Sequence, residues 1–210
     1  MDEFFLIRYS AEILRRSGEH LFLVAIAITI ATTVGIPLGI LITRKPQLSS
    51  PILGIANILQ TVPSLALFGF LISVPIIGGI GATPAIFALT LYALLPIIRN
   101  TYTGIVGVDS AIREAGRGMG MTDWQLLSQV EIPLAMGVIL AGVRVSTAIS
   151  VGTATIAAAI GAGGLGALIF QGISMVNNQL ILAGAVPAAA IALIADGAIG
   201  WFEHQLTVKK

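Results

Sequence analysis

Three observations predict an all-α integral membrane fold with about five transmembrane helices. The first is composition: 56% of the residues are hydrophobic and only 10% are charged, with a mean hydropathy of +0.98. Soluble domains carry about a quarter charged residues, so this chain cannot cover a water-facing surface. The second is the presence of two long apolar stretches almost free of charge, each too long for one crossing. The third is that proline- and glycine-dense breaks fall inside both. The net charge of +1 carries little information, because the positions of the charges matter more than their sum. With no cysteine, disulfides, thiolate metal sites and cysteine nucleophiles are excluded.

A membrane-crossing helix needs about 20 apolar residues. After an amino-terminal tail, 1–20, residues 21–43 supply the first span, ended by Arg44-Lys45-Pro46. That first apolar run is too long for a signal-peptide core, so no cleaved targeting segment is expected. From Pro46 to Ile98 there is no charged residue, and PIIGGIGATP (75–84) has the turn chemistry to fold the stretch back on itself. Spans near 51–75 and 83–99 follow. From Ile132 to Ala195 the one charge is Arg144, and a break in GAGGLGALIFQGISMVNNQ (161–179) gives spans near 134–158 and 180–201. Residues 202–210 form a carboxy-terminal tail.

Cationic loops mark the cytoplasmic side. Arg44 and Lys45 lie in one loop, Arg99, Arg113 and Arg117 in another, and Lys209 and Lys210 near the carboxy terminus. Five spans place all three segments on one side, while the opposite loops, 75–83 and 161–179, carry no charge. That side is the expected cytoplasmic one. The amino-terminal tail is then external, against its content of Arg8, Arg15 and Arg16, which it shares with Asp2, Glu3, Glu12 and Glu19.

The stretch 109–133 is thus an expected cytoplasmic segment between the third and fourth spans. Ile112 to Arg117 can be helical, and Gly118 and Gly120 break that helix. Thr122-Asp123-Trp124-Gln125 has the spacing of a capping box, so a second short helix starts there and runs through Val130, with Pro133 opening the next span. Two readings are open on the residues alone. Such a helix–turn–helix is a rigid knob suited to transmitting force to a partner, or it is a surface loop anchored by Trp124.

The same stretch, EAGRGMGMTDWQLLSQVEIP, resembles the signature of the permease subunits of bacterial ATP-binding-cassette importers: EAA, three residues, Gly, nine residues, Ile, any residue, Leu-Pro. Glu114, Ala115 and Gly116 stand at the EAA positions, Gly120 follows in register, and Val130, Glu131, Ile132 and Pro133 close the motif. Gly116, Val130 and Ile132 depart from the pattern. The resemblance implies that this segment is a coupling helix docking on an ATP-hydrolysing subunit, with Glu114, Ala115, Gly116, Gly120, Thr122, Trp124, Gln125, Ile132 and Pro133 as its coupling residues. NILQTVPSLALF (57–68) looks like the second span of the five-helix, methionine-importer-like members. The stretches 107–144 and 150–173 look most like the osmoprotectant branch, which imports glycine betaine, carnitine or choline. The implied assembly has two ATPase subunits, a second permease subunit, identical or similar, and an extracytoplasmic substrate-binding protein, set in the bacterial inner membrane. Two alternatives remain: a permease for methionine or another small solute, and a non-transporting or channel-like membrane protein whose knob binds a cytoplasmic regulator.

The remaining motifs narrow the chemistry. GAGGLG (161–166) follows a membrane span and lacks an acidic residue about 20 positions on, so it is not a dinucleotide fingerprint. Its glycines, Gly161, Gly163, Gly164 and Gly166, are expected to turn the chain at the outer face. In the family this is the side of the external gate and the binding protein. No phosphate-binding loop occurs, so no cofactor is expected on this chain, and ATP and Mg are expected on the partner ATPase; the chain is not expected to be an enzyme. His20 and His204 make no metal cluster and are expected at the interfaces. No metal and no nucleic-acid partner is expected.

Arg144 lies inside the fourth span, where a charge costs about 2.5–3.5 kcal/mol unless it faces protein or water. It either lines the pathway or ties to Asp196. Asn57, Gln60, Thr61 and Ser64 around Pro63, with Ser146, Ser150 and Thr153 in the fourth span, either line a translocation path for a zwitterion or pack helices as small hydrogen-bonding residues. Gly35 and Gly39 form a small-residue packing pair. Quaternary ammonium groups favour aromatic cages. With only 6% aromatics, selection is expected in a separate binding protein, and no binding domain is expected to be fused beyond Trp201.

Overall fold

The structure is a computed structural model that describes residues 9–75, 77 and 79–206. The tail charges Asp2, Glu3, Arg8, Lys209 and Lys210 lie outside the described residues, as do Ile76 and Gly78 of the 75–83 loop. The described residues form helices and turns, without strands.

Helix α1 (Ser10–Arg44) opens the fold. The expected tail is not separate from the first span, since one helix runs from Ser10 through both. At about 1.5 Å per residue its 35 residues rise roughly 52 Å, well beyond the ~30 Å hydrocarbon core. A 3-10 turn at Pro46–Leu48 leads to α2 (Ser49–Thr61) and α3 (Ser64–Ile72). The expected continuous span near 51–75 is therefore broken, and the two pieces meet at 96°. Val62-Pro63 causes the break: the residue before a proline is driven to extended backbone, and Val62 sits at ψ 127°. In a bilayer such a break survives only where neighbours satisfy the freed backbone groups. Here Tyr92 of α4 (Ala82–Val106) donates its hydroxyl to the Val62 carbonyl, and Gln60 Nε2 donates to the Tyr92 carbonyl at 2.9 Å.

Past α4 come two short helices, α5 (Ser110–Gly118) and α6 (Asp123–Leu126). Pro133 lies in the first turn of the next long helix, as expected of a proline that opens a span. A π-helical turn (Leu127–Glu131) carries α6 straight into α7 (Ile132–Ala157). Proline lacks the N–H that would bond one turn back, and the wider turn is where the ladder adjusts. After a 3-10 turn (Ala158–Ile160), the expected break at 161–179 contains a further helix, α8 (Gly166–Ser174), before α9 (Asn178–Leu206).

Among the described residues, four helices are long and apolar enough to cross a membrane, five when the bent α2–α3 pair counts as one span. Helix α4 is the central post, with 56% of its most apolar window buried against 22% for α9. It closes on α1 at Gly35 and Gly39, where an added Cβ would meet Ile97 and Thr101 within 2.8 Å. On its other side Gly142 of α7 brings the backbone of α7 to Asn100 and the Pro96 carbonyl. Leu67, Phe68 and Leu71 of α3 fill the core against Ala85, Ala88 and Tyr92.

Candidate functional site

The segment 109–133 forms a knob at one end of the bundle. Asp109 caps α5, its carboxylate accepting from the Ala111 N–H at 2.9 Å. Gly120, at φ +83°, makes a left-handed turn that costs a side-chain-bearing residue energy. The capping box at α6 is complete: Gln125 N–H donates to Thr122 Oγ1 at 3.3 Å, and Thr122 N–H donates to Gln125 Oε1 at 2.9 Å. Each short helix is thus closed by its own side chains, which matters because helices this short are marginal alone.

Gly116, which departs from the EAA pattern, sits where the two short helices meet. It is buried, and a Cβ there would lie 2.8 Å from Leu126 Cδ1 and 3.1 Å from Met121 Sδ. Leu126 is fully buried, and it fills the space over Gly116 where α5 and α6 pack together. Glu114, Ala115 and Gln125 face solvent, with Met119 and Trp124 beside them at 78% and 72% exposure. Ile132 and Pro133 are half-buried where the knob joins α7. A recess of about 520 Å³, lined by Thr43, Arg44, Arg117, Asp123, Trp124 and Leu127, separates the knob from the end of α1.

Most of the polar residues of the spans make hydrogen bonds within or between helices. Gln60 is held at the α2–α3 break, and Asn57 Oδ1 accepts from Arg99 at 3.2 Å. Thr61 bonds the Ile58 carbonyl at 2.7 Å, and Ser64 is half-buried at the start of α3. Ser146 is buried and donates to the Ala93 carbonyl of α4 at 2.8 Å, a packing bond between helices. Ser150 is buried with its hydroxyl unpartnered, and Thr153 is half-buried. Arg144 makes a bidentate pair with Asp196, at 2.9 and 2.8 Å, and a third bond to Glu203 at 2.9 Å. Its ionic contacts are thus to carboxylates of α9, Asp196 among them.

At the other end of the bundle, Gly161, Gly163 and Gly164 all take positive φ. The Gly164 N–H donates to Glu19 of α1 at 2.9 Å, and Gly81 N–H donates to the Ile160 carbonyl at 2.9 Å. Gly166 brings α8 directly onto the Thr155 carbonyl. His20, expected at an interface, is instead fully buried and bonds the Val151 carbonyl through Nε2 at 3.2 Å. Burial follows from the glycine loop, which lays the Gly164 backbone against the ring.

With this geometry in view, residues 35–208 match the family described as binding-protein-dependent transport system inner membrane component. The chain belongs to that family. Among curated relatives of this transport component, it is 47% identical over 197 residues to the carnitine transport permease protein OpuCB of Listeria monocytogenes, covering 94% of this chain and 89% of that one. It is 44% identical over 205 residues to the glycine betaine/carnitine/choline transport system permease protein OpuCB of Bacillus subtilis (strain 168), covering 98% and 93%. It is also 47% identical over 192 residues to the osmoprotectant import permease protein OsmW of Salmonella typhimurium, covering 90% and 87%. Its fold matches a solved inward-facing form of the MetNI methionine ABC transporter, with a TM-score of 0.86, 24% identity, and 99% and 100% of the two chains covered.

Three groups of this transport component escaped the sequence reading. Glu203 joins Asp196 on Arg144, seven residues on and hence two turns along the same helix face. Glu19 serves the distant glycine loop, 145 residues away in sequence, and no local pattern announces that. Glu131 is fully buried against Arg44 and Arg113. A lone carboxylate between apolar residues, with arginines closing one helix and opening another, was the available signal.

Proposed function

We propose that this chain is the permease subunit of an ATP-driven importer for quaternary-amine osmoprotectants such as glycine betaine, carnitine and choline. The single observation that carries the coupling half of this reading is the knob: a self-capped, two-helix unit in EAA register whose tip exposes Glu114, Met119, Trp124 and Gln125. The substrate half is supported by the printed activities of relatives 44–47% identical over nearly the whole chain.

In this reading the knob end is cytoplasmic and the glycine-loop end faces the substrate-binding protein. The charge of the external end supports that direction. Arg15 and Arg16 pair with Glu12 and Glu19 at 2.7–3.3 Å, so the tail arginines hold one another's acids rather than anchoring to lipid. The chain pairs with a second permease, identical or similar, and with two ATPase subunits that bind ATP and Mg. ATP binding closes the ATPases, draws the two knobs together and rocks the bundles from inward-facing to outward-facing; hydrolysis resets them. This subunit supplies the path and holds no nucleotide itself.

Reconstitution with the partner ATPase and binding protein tests it. Labelled glycine betaine is expected to enter vesicles with ATP, and labelled methionine is not. Glu114→Arg and Gly120→Trp are expected to abolish uptake and co-purification with the ATPase while the protein still inserts. Normal uptake in either variant, or solute flux independent of ATP, contradicts the proposal; entry of methionine in place of betaine redirects the substrate to the methionine branch.

A further inference from the structure

Among the described residues, Glu131 is the one carboxylate whose residue is buried; its side chain is 1% exposed. A buried charge is expensive unless opposite charges and hydrogen bonds hold it. Two arginines do so from different elements. Arg44, the last residue of α1, grips both carboxylate oxygens, Nη1 reaching Oε1 at 3.5 Å and Nη2 making a closer bond to Oε2. Arg113 of α5 brings Nε to 3.8 Å from Oε1. That is an ion pair too long for a hydrogen bond, and Nε has no other acceptor in this conformation. The Nη2 of the same arginine donates to the carbonyls of Ile105, Val106 and Val108, at 3.3, 2.6 and 2.5 Å, which close the end of α4. Glu131 itself ends the π-helical turn that feeds the knob into α7. One carboxylate thus joins the knob to the ends of α1 and α4 and the start of α7.

From this junction we infer that Glu131, with Arg44 and Arg113, is the joint that passes the knob's displacement into the spans; it is a positioning group and does not touch the ATPase. The inference rests on the reading of the knob as the ATPase contact. Three features suit the role. The joint lies behind the exposed tip rather than on it, so docking does not cover it. It is ionic and therefore directional, unlike the apolar contacts around Ile105, Leu127 and Ala135 nearby. It also has slack on one side, since the unused Arg113 Nε lets the carboxylate tighten toward α5 when the knob moves. π-Helical turns of this kind recur at functional positions in helices.

The test uses the complete reconstituted importer and measures ATP hydrolysis and betaine uptake side by side. In Glu131→Gln, ATPase co-purification and basal hydrolysis are expected to stay within about twofold of the parent, while uptake per ATP falls roughly tenfold, a shift in the range that residues on a coupling route produce. Glu131→Asp is expected to recover most of the ratio. Arg44→Gln, at a half-exposed helix end, reads the same joint should Glu131→Gln fail to accumulate, and is expected to lower the ratio in the same direction. Unchanged uptake per ATP in the variants, or loss of ATPase binding in parallel with uptake, overturns the joint. A parent importer that shows no ATP-driven uptake overturns the reading of the knob, and the joint with it; a parent that transports, beside variants that keep its ratio, overturns the joint alone.

Discussion

Two interruptions of an apolar chain solve the same problem in opposite ways. At the knob, polar side chains satisfy the backbone locally: Asp109 caps α5, and Thr122 and Gln125 cap each other across three residues. At the glycine loop the side chains are removed, and short local backbone bonds are joined by groups far away in sequence, Glu19 on α1 and the Gly81–Ile160 pair. The first design yields a unit that stands out from the bundle and keeps its shape. The second yields a seam that exists only once α1, α7 and α8 are packed. The first keeps its shape through short-range bonds, and the second depends on the packing of helices far apart in sequence.

The sharpest way to break that contrast is at Gly166. Its Cβ would overlap the Thr155 carbonyl, a backbone atom that no rotamer change can move aside. Gly166→Leu is therefore expected to cost about 3 kcal/mol or more, at the upper end for overpacking. Inserted protein should fall sharply, and the thermal melting point in detergent should drop. A variant that inserts and melts like the parent would show that the seam is not closed as drawn.

Next in size is Glu19→Ala. It removes the acceptor for the Gly164 N–H and two arginine contacts at once, but Glu19 is one-third exposed, so water replaces part of what is lost. A loss of about 1–2 kcal/mol is expected, as for a charge-assisted hydrogen bond in a partly wet site. The distinguishing measurement is hydrogen exchange of the 161–166 amides, which should quicken while those of the knob do not change. Equal quickening at both ends would mean that the two regions are not independent.

This contrast also explains what the sequence made legible. Span number, the knob and its capping box rest on short-range rules, so composition, charge-free runs and the Thr122–Gln125 spacing carry them. The break at Val62-Pro63 was signalled by the proline, but its 96° bend depends on Tyr92, thirty residues away, to hold it open. The burial of His20 and of Glu131 was hidden for the same reason: each partner set lies on other helices, at separations of 131 and 87 residues for Val151 and Arg44. Polar residues in apolar spans announce that they have partners, never which ones. Gln60 and Ser146 show the consequence, since each bonds a carbonyl of α4 that no local pattern pointed to.

The smallest expected effect separates two glycines inside the knob. Gly120 has open space around it and a left-handed backbone, so Gly120→Ala introduces strain without any clash, about 1 kcal/mol. Gly116 is helical, and the atom an added Cβ would meet first is Leu126 Cδ1, the free end of a flexible side chain. Alanine also gains helix propensity over glycine by up to about 1 kcal/mol, which offsets the rotamer shift that Leu126 must make. Gly116→Ala, which restores the EAA pattern, is thus expected to change knob stability by only a few tenths of a kcal/mol, the two effects nearly cancelling. Hydrogen exchange of α5 and α6 amides measures both variants on one scale. If Gly116→Ala loosens the knob more than Gly120→Ala does, the two short helices are locked by a rigid contact at position 116. The departure from the family pattern would then be a requirement of this chain rather than a tolerated variation.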